Sequence, residues 1–288
     1  MNPGQVIFLV VLLTAASHQV IQASPGSAEV TIGELAHRGY ANCQRMWGPT
    51  IAYLTQHVPG RQFRLIPLDL NDMSAELERG GLDFLLTNPG NYVELERRFG
   101  ATRITTLKNL RQDQPYKVFG AVIFSRADRE DIQQLSDLKG KAVAAVSKSA
   151  FGGFQMAWRE LKEAGIDPYR DFSSLHFLGF PQDVIVEQVL NGRVDAGTVR
   201  TDTLERMASE GRIRLEDFHI LNAQHSNEFP FRHSTRLYPE WAFAKAKPTP
   251  EELARKVTIA LMQMSLASRG QGGLLCGLDS ASKLPAGP

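Results

Sequence analysis

Short apolar runs, each followed by a segment whose apolar residues fall at helical spacing, recur along most of the chain. Residues 30–35 are β-rich, and residues 42–58 carry Met46, Trp47, Ile51 and Leu54 at helical intervals. Further strand patterns follow at 63–68, 83–87, 104–107, 117–125, 141–146, 175–178 and 195–199. Helical patterns lie between them at 72–78, 92–99, 149–164, 183–190 and 202–209, several closed by glycine, as at Gly100, Gly165 and Gly192. Alternation of this kind predicts an α/β architecture with largely parallel sheets.

Two polar breaks interrupt it, RQDQP at 111–115 and NAQHSNEFP at 222–230. Two crossings between one pair of lobes make the first lobe discontinuous, with 24–114 plus 223–267 in lobe 1 and 115–222 in lobe 2. A single doubly wound sheet is the alternative that the alternation leaves open. At the N-terminus, residues 6–16 (VIFLVVLLTAA) are unbroken and apolar. The run is short of the roughly 20 residues that span a bilayer. It reads as the apolar region of a secretory signal over 1–23, cleaved near Ala23, although no Lys or Arg precedes it. A buried first element of the fold is the other reading. No later stretch is apolar enough to cross a membrane, so an exported, soluble mature chain is expected. Residues 268–288, rich in Gly, Ser and Pro, are expected to form a flexible tail.

Composition narrows the chemistry. With 32 Lys and Arg against 31 Asp and Glu in 288 residues, the net charge of +1 argues against nucleic acid as a partner. Two cysteines cannot build a disulfide scaffold or a four-thiolate zinc site. Cys43 is expected to be a free, half-buried thiol, with a Cys43–Cys276 bridge as the alternative in an oxidising compartment. The chain carries no Walker loop and no GxGxxG, HExxH, GxSxG or CxxCH motif, and its seven histidines lack metal-ligand spacing. The reading is therefore a binding protein, with no catalytic residue, metal or cofactor assigned.

The polar residues that remain gather just past strand ends, where ligands sit in open α/β sheets and helix N-termini offer unpaired N–H groups. Arg38 follows the first strand; Asn88 and Tyr92 follow DFLLT; Ser147, Ser149, Phe151 and Gly152 follow AVAAV. Thr198 and Arg200 end DAGTVR, and Phe119 opens the strand FGAVIF. Hydroxyls, glycine N–H groups and the cations Arg38, Lys148 and Arg200 suit a small anion. Each segment singly also reads as an ordinary cap or turn.

IGELAHRG (32–39), DFLLTNPGNYVELE (83–96), FGAVIFSRADR (119–129), SAFGGFQMAWRELKEAGIDPYRD (149–171), DAGTVRTDTLERM (195–207) and FPFRHSTRLYPEW (229–241) carry a resemblance. From about Val30 to Lys245 the chain resembles the phosphonate-binding-protein-like family of type II periplasmic solute-binding proteins. It resembles more closely the periplasmic sensor domains of tetrathionate-sensor-type histidine kinases. The resemblance implies a bilobal α/β fold, two mixed sheets flanked by helices and joined by a two-crossing hinge, with a small oxyanion held in the cleft. It also implies a periplasmic location and either a membrane sensor kinase or an ABC permease as partner. Two departures stand out. Where phosphonate binders carry Ser-Thr-Ser-Gly, this chain has Ser149-Ala150-Phe151-Gly152, and where they often carry His-Glu it has Gln182-Asp183. Both point away from phosphonate toward another oxyanion, such as a sulfur oxyanion. The pattern fades near Leu266 without a kinase or a span, so a stand-alone or truncated sensor domain is expected.

Overall fold

The computed structural model describes residues 28–37, 39–111, 114–265 and 274–276. The expected signal segment, Arg38 and most of the expected tail lie outside the described residues.

The chain begins with β1 (Ala28–Leu35), α1 (Tyr40–His57), β2 (Arg61–Leu68), α2 (Leu70–Glu78), β3 (Phe84–Thr87), α3 (Pro89–Phe99), β4 (Thr102–Arg111) and β5 (Gln114–Tyr116). Local chemistry sets these limits. Asp69 caps α2 by accepting from the N–H groups of Asn71 and Asp72, while Asn88 caps α3 with Pro89 in its first turn. Gly100 ends α3 in the left-handed region (φ 69°), which a residue with a Cβ rarely adopts.

After the short β6 (Val118–Phe119) come β7 (Ala121–Arg126), β8 (Ala142–Ala145), a π-helical turn at Phe151–Gln155, α4 (Met156–Glu163), α5 (Pro168–Asp171) and β9 (Ser174–Phe177). Next are α6 (Asp183–Leu190), β10 (Ala196–Arg200), α7 (Thr203–Ser209), β11 (Phe218–Leu221), β12 (Gln224–Ser226) and β13 (Phe229–His233). The chain closes with β14 (Tyr238–Pro239), β15 (Ala242–Lys245), α8 (Glu251–Gln263) and β16 (Leu274–Cys276).

Two sheets result. The first runs β16-β4-β15-β3-β1-β2, with β5 folded back on β4; β1, β2 and β3 are parallel, and the others join antiparallel. The second runs β11-β7-β10-β8-β9, parallel from β10 to β9 and antiparallel at β7 and β11. Both sheets are thus mixed rather than largely parallel, because β7, β15 and β16 run against the βαβ units. β7 is buried on both faces: Val122 and Phe124 join the core under α6 and α7, and Ile123 joins the core under α4. One core fills the first lobe, from Val30 and Trp47 to Phe243 and Leu261.

β6 and β14 pair antiparallel where the chain passes between the sheets, Tyr238 opposite Phe119 and Pro239 opposite Val118. The return comes later than the break at 222–230 implied. The hairpin β12–β13 stays beside the second sheet, where Ser234 N–H donates to Ala121 O and Ser234 Oγ accepts from Ile123 N–H. Its alternating inward residues, Phe229, Phe231 and His233, give it a buried face of its own. The tail also departs from expectation, since 274–276 adds a strand against Thr106–Lys108 of β4.

Candidate functional site

The strand ends of both lobes converge on a cleft. His37 past β1, Asn88 past β3, Phe119 on β6, Phe151 and Gly152 in the π-turn, Gln182 before α6, Arg200 ending β10, and Trp241 before β15 line an inner cavity of about 30 Å³. It opens beside a larger cavity of about 410 Å³, and His37, Gln182 and Arg200 line both. Five of the expected residues meet here: Asn88, Phe119, Phe151, Gly152 and Arg200. Arg38 lies outside the described residues.

Arg200 is the buried cation of the inner cavity. Its Nη2 donates to Glu240 Oε1, its guanidinium lies 4.4 Å over the Phe119 ring, and its backbone N–H donates to Gln182 Oε1 at 2.8 Å. Its Nε has no hydrogen-bond partner. Burial works against the charge, yet the Glu240 and Asp202 carboxylates outweigh it and hold the guanidinium above the ordinary arginine value. The next two residues are also tied: Thr201 bonds Gly120 through its backbone N–H and its Oγ1, and Asp202 pairs with Arg111.

The π-turn brings the lobes close together. A Cβ on Gly152 would lie 2.9 Å from Phe119, and one on Gly90 of α3 would lie 2.7 Å from Phe151. Both positions therefore need glycine for close approach. Phe151 meets Phe119 and Tyr238 edge-on, so the ring forms a wall rather than offering a donor. Around the cavity mouth, His37 packs edge-on against Trp241 (4.7 Å) and Phe180 (6.4 Å).

Four expected contacts stand elsewhere. The helix opens at Phe151 rather than at Ser149, which leaves Ser149 exposed with its hydroxyl 3.4 Å from that of Ser147, off the lining of either cavity. Thr198 is buried on the β10 face it shares with Ala196, and its hydroxyl has no partner. Tyr92 donates to Glu96 at 2.6 Å and accepts from Arg103 N–H, so its hydroxyl is used inside the first lobe; burial and then Glu96 push it up to about 12. Asn88 accepts from Asn91 N–H as a cap, which leaves its NH₂ as the group it can offer a ligand.

Gln182 and Trp241 also line the inner cavity and Glu240 pairs with Arg200, three roles that the residue pattern did not indicate. Gln182 was visible as a departure from the resemblance; Glu240 lies 40 residues from Arg200 and has no spacing signal. The outer cavity is charged but internally balanced, with Asp183 held by Arg206 and Arg212, and Arg212 also on Glu187. Burial raises the Asp183 carboxyl, but those two arginines bring it below the usual range. Cys43 is a free, buried thiol, pushed up by burial and by Glu34. Among the described residues no group of His, Cys, Asp or Glu is placed to hold a metal, and no helix is long and apolar enough to cross a membrane.

Comparison with known proteins identifies the family and the fold. Residues 32–276 match the family described as ABC transporter, phosphonate, periplasmic substrate-binding protein. Over 238 residues the chain is 37% identical to the tetrathionate sensor histidine kinase TtrS of Salmonella typhimurium, covering 82% of this chain and 40% of that protein. XAC2383 from Xanthomonas citri, solved bound to ATP, superposes with a TM-score of 0.69 at 20% identity, covering 89% of this chain and 93% of that one. PhnD1 from Prochlorococcus marinus, solved with methylphosphonate, gives 0.67 at 14% identity over 88% of this chain and 93% of its own. Two mixed sheets, paired crossings and a match across most of the chain place this protein in the phosphonate-type periplasmic substrate-binding family, with its type II bilobal fold.

Proposed function

We propose that the chain is exported to the periplasm and binds a small sulfur oxyanion in the cleft, as the sensing domain of a two-component system. The observation that carries this reading is Arg200, a buried guanidinium on both cavities whose Nε has no protein partner. Asn88 and Gln182 add polar contacts. Apart from His37, the remaining walls are apolar, with Leu35, Leu70 and Ala150 beside the rings of Phe119, Phe151, Phe180 and Trp241. Such a lining offers few donors, which disfavours strongly hydrated phosphate and suits a polarisable anion with low charge density. Likeness to a tetrathionate sensor kinase supports tetrathionate as the first compound to try and a membrane kinase as the partner. The lobes are taken as 24–116 plus 241–276 and 117–240, the boundaries moved to where β6 and β14 pair.

Calorimetric titration of the mature chain with tetrathionate, thiosulfate, sulfite, orthophosphate and methylphosphonate tests this. Tetrathionate or thiosulfate should bind. Arg200→Lys, which keeps the charge but loses the planar fork, should weaken that binding by about ten- to a hundredfold. Binding of methylphosphonate alone would overturn the sulfur-oxyanion reading. That outcome would support a second reading, the solute-binding subunit of an ABC importer, which the family description favours.

A further inference from the structure

We propose that Glu240 is the resident counter-anion of the ligand site: its carboxylate holds Arg200 in place of an anion, and a bound oxyanion competes with it for the guanidinium. This rests on the reading of Arg200 as the ligand's anchor.

The partners of Arg200 lie where the chain passes between the lobes. Its guanidinium touches Glu240 and the Phe119 ring, and each stands on or beside one of the two paired segments that join the lobes. Glu240 Oε1 also accepts from Asn109 Nδ2 of β4 at 3.3 Å. The Glu240 backbone N–H donates to Lys117 O of the other crossing at 2.8 Å, and its Oε2 accepts from Trp241 N–H. One buried residue thus links the second sheet and the first sheet through its carboxylate, by Arg200 and Asn109, and the two crossings through its backbone N–H.

The charge balance gives this carboxylate a role beyond structure. Arg200 and Glu240 together are neutral, so an oxyanion that reaches the guanidinium from the cavities meets a cation already shared with a carboxylate. Two like charges on one guanidinium in a site of low dielectric repel strongly. Occupancy therefore loosens Glu240 from Arg200, and because Glu240 sits on the crossing, ligand binding is transmitted to the segment that sets the angle between lobes. The same carboxylate lowers affinity for all anions and lowers it most for those of high charge.

The decisive measurement is the sign of the affinity change in Glu240→Gln, which keeps the size and an acceptor oxygen for Arg200 but removes the charge. Calorimetry with tetrathionate, thiosulfate and orthophosphate on the mature chain should show binding about ten- to a hundredfold tighter than wild type. A merely structural Glu240 would instead leave affinity unchanged or weaken it as Arg200 loses its orientation, and either result overturns the proposal. Should Glu240→Gln fail to fold, Glu240→Asp withdraws the charge by one methylene and carries the same sign at smaller size. Wild-type protein that binds none of the three probes would defeat the oxyanion reading and this proposal with it. Binding by wild type with no gain in the variants defeats this proposal alone.

Discussion

Glu34 and Glu240 are both buried, 1% and 2% exposed, and the fold treats them in opposite ways. Glu240 receives a guanidinium, an amide and a backbone N–H. Glu34 points from β1 beneath α1 among Trp47, Thr50 and Leu54; its Oε2 has no partner, and the His37 ring stands 3.9 Å from Oε1. Burial pushes the Glu34 carboxyl from its ordinary 4.5 up to about 8, with Cys43 and Trp47 only partly offsetting this. One carboxyl is thus neutralised by a cation 40 residues away in the chain and the other by a proton. The first solution ties distant segments together, while the second makes the packing under α1 sensitive to pH.

Breaking the cation-neutralised site should have the largest effect. Arg200→Ala leaves Glu240 buried with no counter-charge and should cost about 3–5 kcal/mol, read by denaturant unfolding without ligand. A loss below about 1 kcal/mol would mean that water reaches Glu240 and that the two carboxyls are less different than their surroundings suggest.

The proton-neutralised site should show itself through pH. In the unfolded chain Glu34 ionises near 4.5, while in the folded protein it holds its proton to about 8. Between those values the native state binds the extra proton, so its stability is full below pH 4.5 and falls as pH rises toward 8. The slope expected from this group is about 1.4 kcal/mol per pH unit. Unfolding free energies at pH 5.5, 6.5 and 7.5 should decline in wild type, and the decline should flatten in Glu34→Gln. Parallel profiles for the two proteins would show that Glu34 ionises normally.

The sequence made most of the local structure legible and little of this contrast. α6 occupies 183–190, the helical pattern read there, and β10 lies within one residue of the expected strand. Hydrophobic periodicity and caps act within a few residues, so a single chain exposes them. The helix start at Ser149 failed because Ala150-Phe151-Gly152-Gly153 folds into a π-turn against Val146 and Phe119, a packing effect. Arg200 was visible as a cation at a strand end, but its restraint by Glu240 was not. The charge of a site depends on pairings across 40 and 131 residues, which no local pattern encodes. Glu34 was equally hidden, since nothing in IGEL tells a carboxylate on an exposed edge from one sealed beneath a helix.

Glu240 gains least from its neutral partner, Asn109. Asn109 is buried on β4, and its amide reaches Glu240 Oε1 at 3.3 Å, a long bond to an oxygen that Arg200 already occupies. A hydrogen bond to a charged group is typically worth about 1.5–3 kcal/mol, but its length and the shared acceptor put this one nearer 1 kcal/mol. Asn109→Ala should therefore destabilise by about 1 kcal/mol plus a small packing loss. In a double-mutant cycle with Glu240→Gln the two effects should couple by about 0.5–1 kcal/mol, because they share one oxygen. Strict additivity would mean that Asn109 packs beside Glu240 without bonding it. The link from Glu240 to the first sheet would then run only through the backbone of the crossing, and Arg200 alone would separate this carboxyl from the condition of Glu34.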